Sequence, residues 1–324
     1  MTLSKLAQLA NVSVSVVSKA FSGKDGVSDA MREHVFSVAR EQGCFEQFYH
    51  APYDKPVVAV IIPEAISVYY IHYIEVLKRS MEDNGYTMLL SISNFDPEMT
   101  RELVRYYTEH GKVNGIVLFG EAPKLKSGTE TAIITLNDCS TDGFSATVRF
   151  DLERGLYDAL SHLYSLGHRR IAYIGEPLTR MKGLIMKSVM KKVGFDIPSE
   201  LMIESLSRFE NAGKDGVRRL LSLENRPTAI LGAYGYITRG IINELLEQGL
   251  SIPDDVSVIS MDNDPSELHP SLDVACIPSG IEACCDGIME ALNRSLHSPG
   301  TQRNVTIEIP SEFHVGHTVS AATQ

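Results

Sequence analysis

The sequence predicts an all-α head over residues 1–44 followed by an α/β core of two Rossmann-like lobes, each built on a parallel sheet. Three observations carry that prediction. The first 44 residues read as three short helices, each preceded by a capping residue. From Val57 onward, short β-branched runs alternate with helix-period segments. Those runs are apolar throughout rather than at every second position, as in strands buried on both faces of a parallel sheet.

In the head, Thr2 caps a helix over Leu3 to Ala10, Ser13 a second over 13–22, and Ser28 a third with Val35, Val38 and Ala39 on its apolar face. Gly43 closes the third helix. Between the first two lies Asn11-Val12, and Asn tolerates the positive φ that a tight helix-helix turn needs. Ala7 and Ala10 let the two helices cross closely, while Val12, Val17 and Phe21 fill the seam. This is the pattern of a helix-turn-helix, whose second helix enters the major groove of DNA. Val14, Ser15, Ser18 and Lys19 are then expected to face base edges and phosphates. Pro52 and Pro56 rule out one continuous helix over 45–56, which reads as a hinge or linker.

In the core, the strand-like runs are 57–62, 87–92, 115–119, 132–136, 146–150, 171–175, 228–232 and 256–261. Several intervening helices stop at glycine: Gly85, Gly167, Gly194 and Gly249. Eight strands exceed one small doubly wound sheet, hence two lobes, with ligands expected at the carboxyl ends of the strands between them.

Composition bounds the function. The formal net charge is −11, yet residues 1–44 hold five basic and four acidic residues, a net +1, so the remainder carries −12. That argues against a protein that coats nucleic acid indiscriminately and makes well-placed contacts and dimerisation the expected sources of affinity. No apolar run approaches the roughly 18 residues of a spanning helix, and a polar capped helix stands where a signal peptide would begin. Five cysteines (Cys44, Cys139, Cys276, Cys284, Cys285) lack CxxC spacing and read as reduced structural thiols of a cytoplasmic protein. No metal site or cofactor is expected.

The ordered motifs resemble the lactose-repressor/galactose-repressor (LacI/GalR) family of bacterial transcription regulators. That family opens T-[IL]-x-x-[VL]-A-x-x-A-G-V-S-x-x-T-V-S-[RK], and this chain reads T-L-S-K-L-A-Q-L-A-N-V-S-V-S-V-V-S-K from Thr2. Further matches follow in order: Val27-Ser28, Pro63 with Tyr69-Tyr70, Asn114 to Leu118, Asp151 with Gly155, Leu166 to Ala172 and Arg180-x-x-Gly183. Pro227 to Ile230, Gly249 to Val258 and Met261-Asp262 complete the set.

The resemblance implies a homodimeric repressor of double-stranded operator DNA with a periplasmic-binding-protein-like core. It divides the chain into a DNA-binding head (1–44), a hinge (45–56) and an effector-binding and dimerisation domain (57–324). The N-lobe is expected over about 57–148 and 278–308, the C-lobe over about 149–277 and 309–324. By position, Thr2, Leu3, Ser13, Val14, Ser15, Ser18, Lys19, Ser22 and Ser28 contact DNA. A small-molecule effector, a sugar or related metabolite, is expected to meet Tyr69, Tyr70, Asp138, Arg180, Tyr234 and Asp262. Arg180 with two carboxylates suits vicinal hydroxyls or an anionic group.

Two departures qualify this. The family places Asn-Asp where this chain has Tyr234-Gly235, removing a main set of hydroxyl ligands. A degenerate pocket, with the regulator acting constitutively or through a protein partner, is therefore an alternative to effector control. The family's Ala-Arg-x-Leu hinge, whose leucine wedges into the minor groove, is also absent from 45–56. Phe45, Phe48 and Tyr49 are the aromatic candidates for such a wedge.

Rival classes lack their signatures. A transporter's solute-binding protein has no use for residues 1–44. An enzyme is disfavoured by the lack of a phosphate loop or nucleophile elbow. His168, between a helix stop and a strand, reads as structural.

Overall fold

A computed structural model of the chain describes residues 1–23, 25–49, 55–120, 131–137, 145–262, 269, 271–297 and 305–322. Asp138 and Cys139 lie outside the described residues. The chain divides into two units, Met1–Pro56 and Val57–Gln324.

The first unit holds α1 (Leu3–Leu9), α2 (Val14–Ser22), α3 (Asp29–Glu41) and α4 (Phe45–Phe48). Asn11 turns the chain between α1 and α2 at φ 54°, the left-handed conformation its residue type allows. Leu6, Val17, Phe21, Val35 and Phe36 form the core. The linker expected from residue 45 starts later. Phe45, Phe48 and Tyr49 pack onto Phe21 and Phe36, with centroid separations of 5.7 Å for Phe21–Phe48, 5.3 Å for Phe36–Phe45 and 5.3 Å for Phe36–Tyr49. Arg40 covers the Phe45 ring at 4.4 Å. These half-buried rings complete a small core, so in this structure they are engaged there rather than presented as a wedge.

The second unit contains two parallel sheets. The first has β1 (Val57–Ile62), β2 (Thr87–Ile92), β3 (Gly115–Phe119), β4 (Ala132–Leu136), β5 (Ala146–Asp151) and, from the far end of the chain, β11 (Val305–Pro310). Its order is β11-β5-β4-β3-β1-β2. All six residues of β1 are buried. Val58, Val60 and Ile62 join one apolar cluster and Val57, Ala59 and Ile61 another. Alternate side chains thus serve opposite faces, which explains an unbroken apolar run. Helices α5 (Val68–Asp83), α6 (Pro97–Glu109) and α11 (Ile281–His297) accompany this sheet.

The second sheet has β6 (Ile171–Gly175), β7 (Met202–Glu204), β8 (Ala229–Gly232), β9 (Ser257–Ser260) and β10 (Ala275–Cys276) in the order β10-β9-β8-β6-β7. Its helices are α7 (Leu152–Ser165), α8 (Arg180–Val193), α9 (Phe209–Leu221) and α10 (Gly235–Glu247). The chain passes between lobes three times: after β5, after β10 and after β11. The last passage is stitched down where Cys276 bridges His314 and Thr318 Oγ1 accepts from Ala275 N at 2.9 Å.

Every expected apolar run forms a strand; three further strands have no such run. β7 and β10 have only three and two residues. β11 is an edge strand in which exposed Thr306 and Glu308 alternate with half-buried Val305 and Ile307 and buried Ile309. Glycines 85, 167, 194 and 249 all end helices at positive φ. The four described cysteines are buried and form no disulfide with one another, and burial pushes the Cys284 thiol up to about 11.

His168 is 1% exposed and structural. Its Nε2 lies 2.9 Å from the Ser320 carbonyl and must donate, so Nδ1 accepts from Thr228 Oγ1 at 2.7 Å. Burial lowers its pKa, so the folded protein holds the neutral ring while the unfolded chain takes up a proton near about 6.5. The contribution to stability is therefore complete above that value and shrinks as pH falls towards the lowered folded pKa. Denaturant midpoints of the full chain between pH 7 and 5 are expected to fall, and less steeply in His168→Gln.

Candidate functional site

Two surfaces carry the chemistry. On the head, the α2 residues Val14, Ser15, Ser18, Lys19 and Ser22 are all exposed while Val17, Ala20 and Phe21 are buried. The exposed set follows helical spacing along one face. Val14 is 45% exposed. Thr2, Ser13 and Ser28 each cap a helix, their hydroxyls accepting from Lys5 N, Val16 N and Met31 N at 3.2, 3.2 and 3.3 Å. A capping hydroxyl that accepts from the backbone still has its own proton to donate to a phosphate. Leu3 is half-buried and packs against the head core. Arg32 donates to the Ala20 carbonyl at 2.6 Å, closing the last turn of α2.

The second surface is the cleft between the sheets, where strand ends face each other. Lys182 Nζ donates to Asp262 Oδ2 at 2.7 Å and to the Ala233 carbonyl at 3.0 Å. The pair is largely buried, at 26% and 12% side-chain exposure. Tyr69 and Tyr70, at the start of α5, reach the same region from the other lobe. Burial and then the Asp262 charge push the Tyr69 phenol up; burial, then Glu64 and Asp262, push up Tyr70. Tyr234 accepts from Phe209 N at 3.3 Å. Burial and then Glu176 raise its phenol too.

Across the cleft runs an ion pair. Arg208, immediately before α9, donates through Nη1 and Nη2 to the two carboxylate oxygens of Glu64 at 3.0 and 3.1 Å. Its Nε reaches Glu176 Oε1 at 3.5 Å. Glu64 follows β1 by two residues in one lobe, and Glu176 follows β6 directly in the other. The hydrogen bonds to Glu64 raise the pKa of Arg208. Tyr236 adds a second crossing, its hydroxyl accepting from Val68 N at 3.4 Å.

The structure thus gathers Tyr69, Tyr70, Tyr234 and Asp262 of the expected effector residues. Arg180 is not among them. Its side chain is 71% exposed and pairs with Glu204 at 3.5 Å. Two residues along α8 is about 200° of rotation, so Lys182 points where Arg180 does not. Sequence reasoning missed Glu64, Glu176, Lys182 and Arg208. Their signal was position: charged residues just beyond strand ends or at the first turn of the following helix, where open α/β sheets bind ligands.

A helix-turn-helix head with a two-lobed α/β core defines the class of ligand-linked DNA-binding regulators, and comparison with known proteins agrees. Residues 2–43 match the family described as bacterial regulatory proteins, lacI family, and residues 160–319 match the periplasmic binding protein-like domain. The HTH-type transcriptional repressor CytR of Escherichia coli K12 is 25% identical over 280 residues, 81% of this chain and 80% of CytR. A LacI-family regulator from Silicibacter pomeroyi aligns with a TM-score of 0.71 at 20% identity over 99% of both chains. The lac repressor dimer bound to operator and the anti-inducer ONPF aligns at 0.69 and 17% identity, again over 99% of both chains. The chain thus carries a DNA-binding head of the lacI family of bacterial regulatory proteins joined to a periplasmic binding protein-like domain, the parts of a transcription regulator. Among the described residues no helix is long and apolar enough to cross a membrane.

Truncating Lys182 leaves the Asp262 carboxylate largely buried without its cation. Lys182→Met is expected to destabilise the full chain by about 2 kcal/mol. Arg180→Ala, at an exposed ion pair, is expected to cost under about 0.5 kcal/mol. Urea unfolding of the two variants checks this ordering.

Proposed function

We propose that the chain is a cytoplasmic, homodimeric repressor whose operator affinity follows the state of the interlobe cleft. The observation that carries the reading is the pairing of a helix-turn-helix, its α2 face exposed, with a cleft that collects charged and aromatic side chains from both lobes. Thr2, Leu3, Ser13, Val14, Ser15, Ser18, Lys19, Ser22 and Ser28 are the proposed DNA contacts. Val14 and Ser15 stand at the base-reading positions. Both are short, so they offer a methyl contact and one hydroxyl bond rather than a bidentate pair. With a net charge of only +1 over residues 1–44, two heads on a two-fold operator supply affinity that one head lacks.

Two features support a dimer. Among the described residues β2 is a sheet edge, with Leu90 and Ile92 more than 40% exposed; Val68 and Ile71 in the first turn of α5, and Ile66 just before it, are exposed too. Apolar surface at an unprotected edge calls for a partner.

The proposed effector site is the cleft, lined by Tyr69, Tyr70, Lys182, Tyr234 and Asp262. Asp138 belongs to this proposal by its place in the sequence only. Lys182 takes the part that family resemblance gives to Arg180. Tyr234-Gly235 replaces a pair of hydroxyl-binding groups with a ring, which favours a ligand with a face to stack over a plain hexose. A thermal-shift panel of sugars, sugar phosphates and nucleosides tests effector control. Saturable stabilisation that survives Arg180→Ala and is lost in Lys182→Met supports it, and silence across the panel supports constitutive action.

Binding of the purified chain to the palindrome nearest its own gene, followed by fluorescence anisotropy, is expected to be salt-sensitive. Changing Val14 and Ser15 together to Ala is expected to weaken specific binding by about tenfold and leave non-specific binding unchanged. Equal loss on both DNAs removes the base-reading role.

A further inference from the structure

Arg208 sits in a site that has the composition of a cation receptor. Two carboxylates approach it from opposite lobes: Glu64, with 11% of its side chain exposed, and Glu176, with 2%. Two aromatic rings flank the guanidinium, Phe209 at 4.5 Å and Phe95 at 5.8 Å. Bidentate carboxylate pairing plus ring contact is how proteins hold a planar guanidinium. The three formal charges sum to −1. Glu176 Oε2 is buried beside the Tyr234 hydroxyl, whose phenol the Glu176 carboxylate pushes up. Two carboxylates against one guanidinium leave the site net anionic.

The local backbone is shaped around this arrangement. Phe209, next to Arg208, has φ 56°, a left-handed conformation uncommon for a bulky aromatic and therefore strained. Its amide is held by the Tyr234 hydroxyl. On the opposite wall Asn94 and Phe95 are also left-handed, at φ 55° and 57°. Both rings that face the guanidinium are thus carried by strained backbone, and such strain concentrates at ligand clamps.

We propose that Arg208 is a tethered ligand of the chain's own cleft, closing the two lobes by filling a cage that also accepts a free guanidinium or alkylammonium cation. The proposal rests on the cleft being the effector site and names the ligand class it takes. Without a cation between them, two desolvated carboxylates from opposite lobes repel and lose their hydrogen-bond donors, and the lobes part. With Arg208 in place, closure needs no effector. A free cation has to displace a side chain already present at high effective concentration, so the unmodified chain binds small monovalent cations weakly.

Chemical rescue of the full chain tests this. Arg208→Ala is expected to lower the melting midpoint by about 5 °C. Millimolar methylguanidinium chloride is expected to restore it saturably in that variant, while sodium chloride at equal ionic strength does not. The unmodified chain is expected to shift little, and the Glu64→Gln/Arg208→Ala double variant not to be restored. Arg208→Lys, which keeps a cation on the tether, is expected to melt between the two and serves if Arg208→Ala does not fold. An Arg208→Ala variant that melts like the unmodified chain overturns the proposal. So does one that is destabilised but gains nothing from methylguanidinium or propylammonium. Palindrome binding by the unmodified chain is measured in parallel, so failure of the regulator reading shows there and failure of the cage shows only in the rescue.

Discussion

A parallel sheet puts the carboxyl ends of all its strands on one edge, and that constraint organises the core. Every strand must be followed by a crossover before the next can pair, so helices cover both faces and the functional loops collect at one end. Two such sheets, joined by three passages of chain, face each other through those ends. Glu64 after β1, Glu176 after β6, Tyr234 after β8 and Asp262 after β9 meet in the cleft although they are far apart in sequence. The Arg208–Glu64 pair is where this geometry acquires an energetic consequence, because it is charge on one lobe satisfied by charge on the other.

Much of this was legible in the chain. Unbroken apolar runs such as Val57 to Ile62 identify buried parallel strands because both faces of the sheet are covered. The head was legible from its caps and from Asn11, whose residue type matches its left-handed turn. Less legible was anything that depends on the phase of a helix or the partner of a charge. Arg180 and Lys182 look interchangeable in a motif, yet one pairs with exposed Glu204 and the other with Asp262. Arg208 stands in a loop before α9, and nothing local reveals that its partner is 144 residues away.

The segment after the third head helix shows the same limit. Pro52 and Pro56 exclude a long helix by their chemistry alone, but the aromatic residues before them were free to serve a linker or a core. Packing decided it: Phe45 and Tyr49 lie 4.5 Å apart, stacked, and both touch Phe36. A head this small gains much of its apolar burial from such rings.

The central claim is that DNA affinity and cleft state are linked in one chain. The most direct measurement is the affinity of full-length protein for its palindromic site with Arg208 intact and with Arg208→Ala, head unchanged. Linkage predicts a difference of about fivefold or more, in either direction, matching a coupling free energy of about 1 kcal/mol. Identical affinities in two folded proteins, one of them with the lobes released, would contradict it.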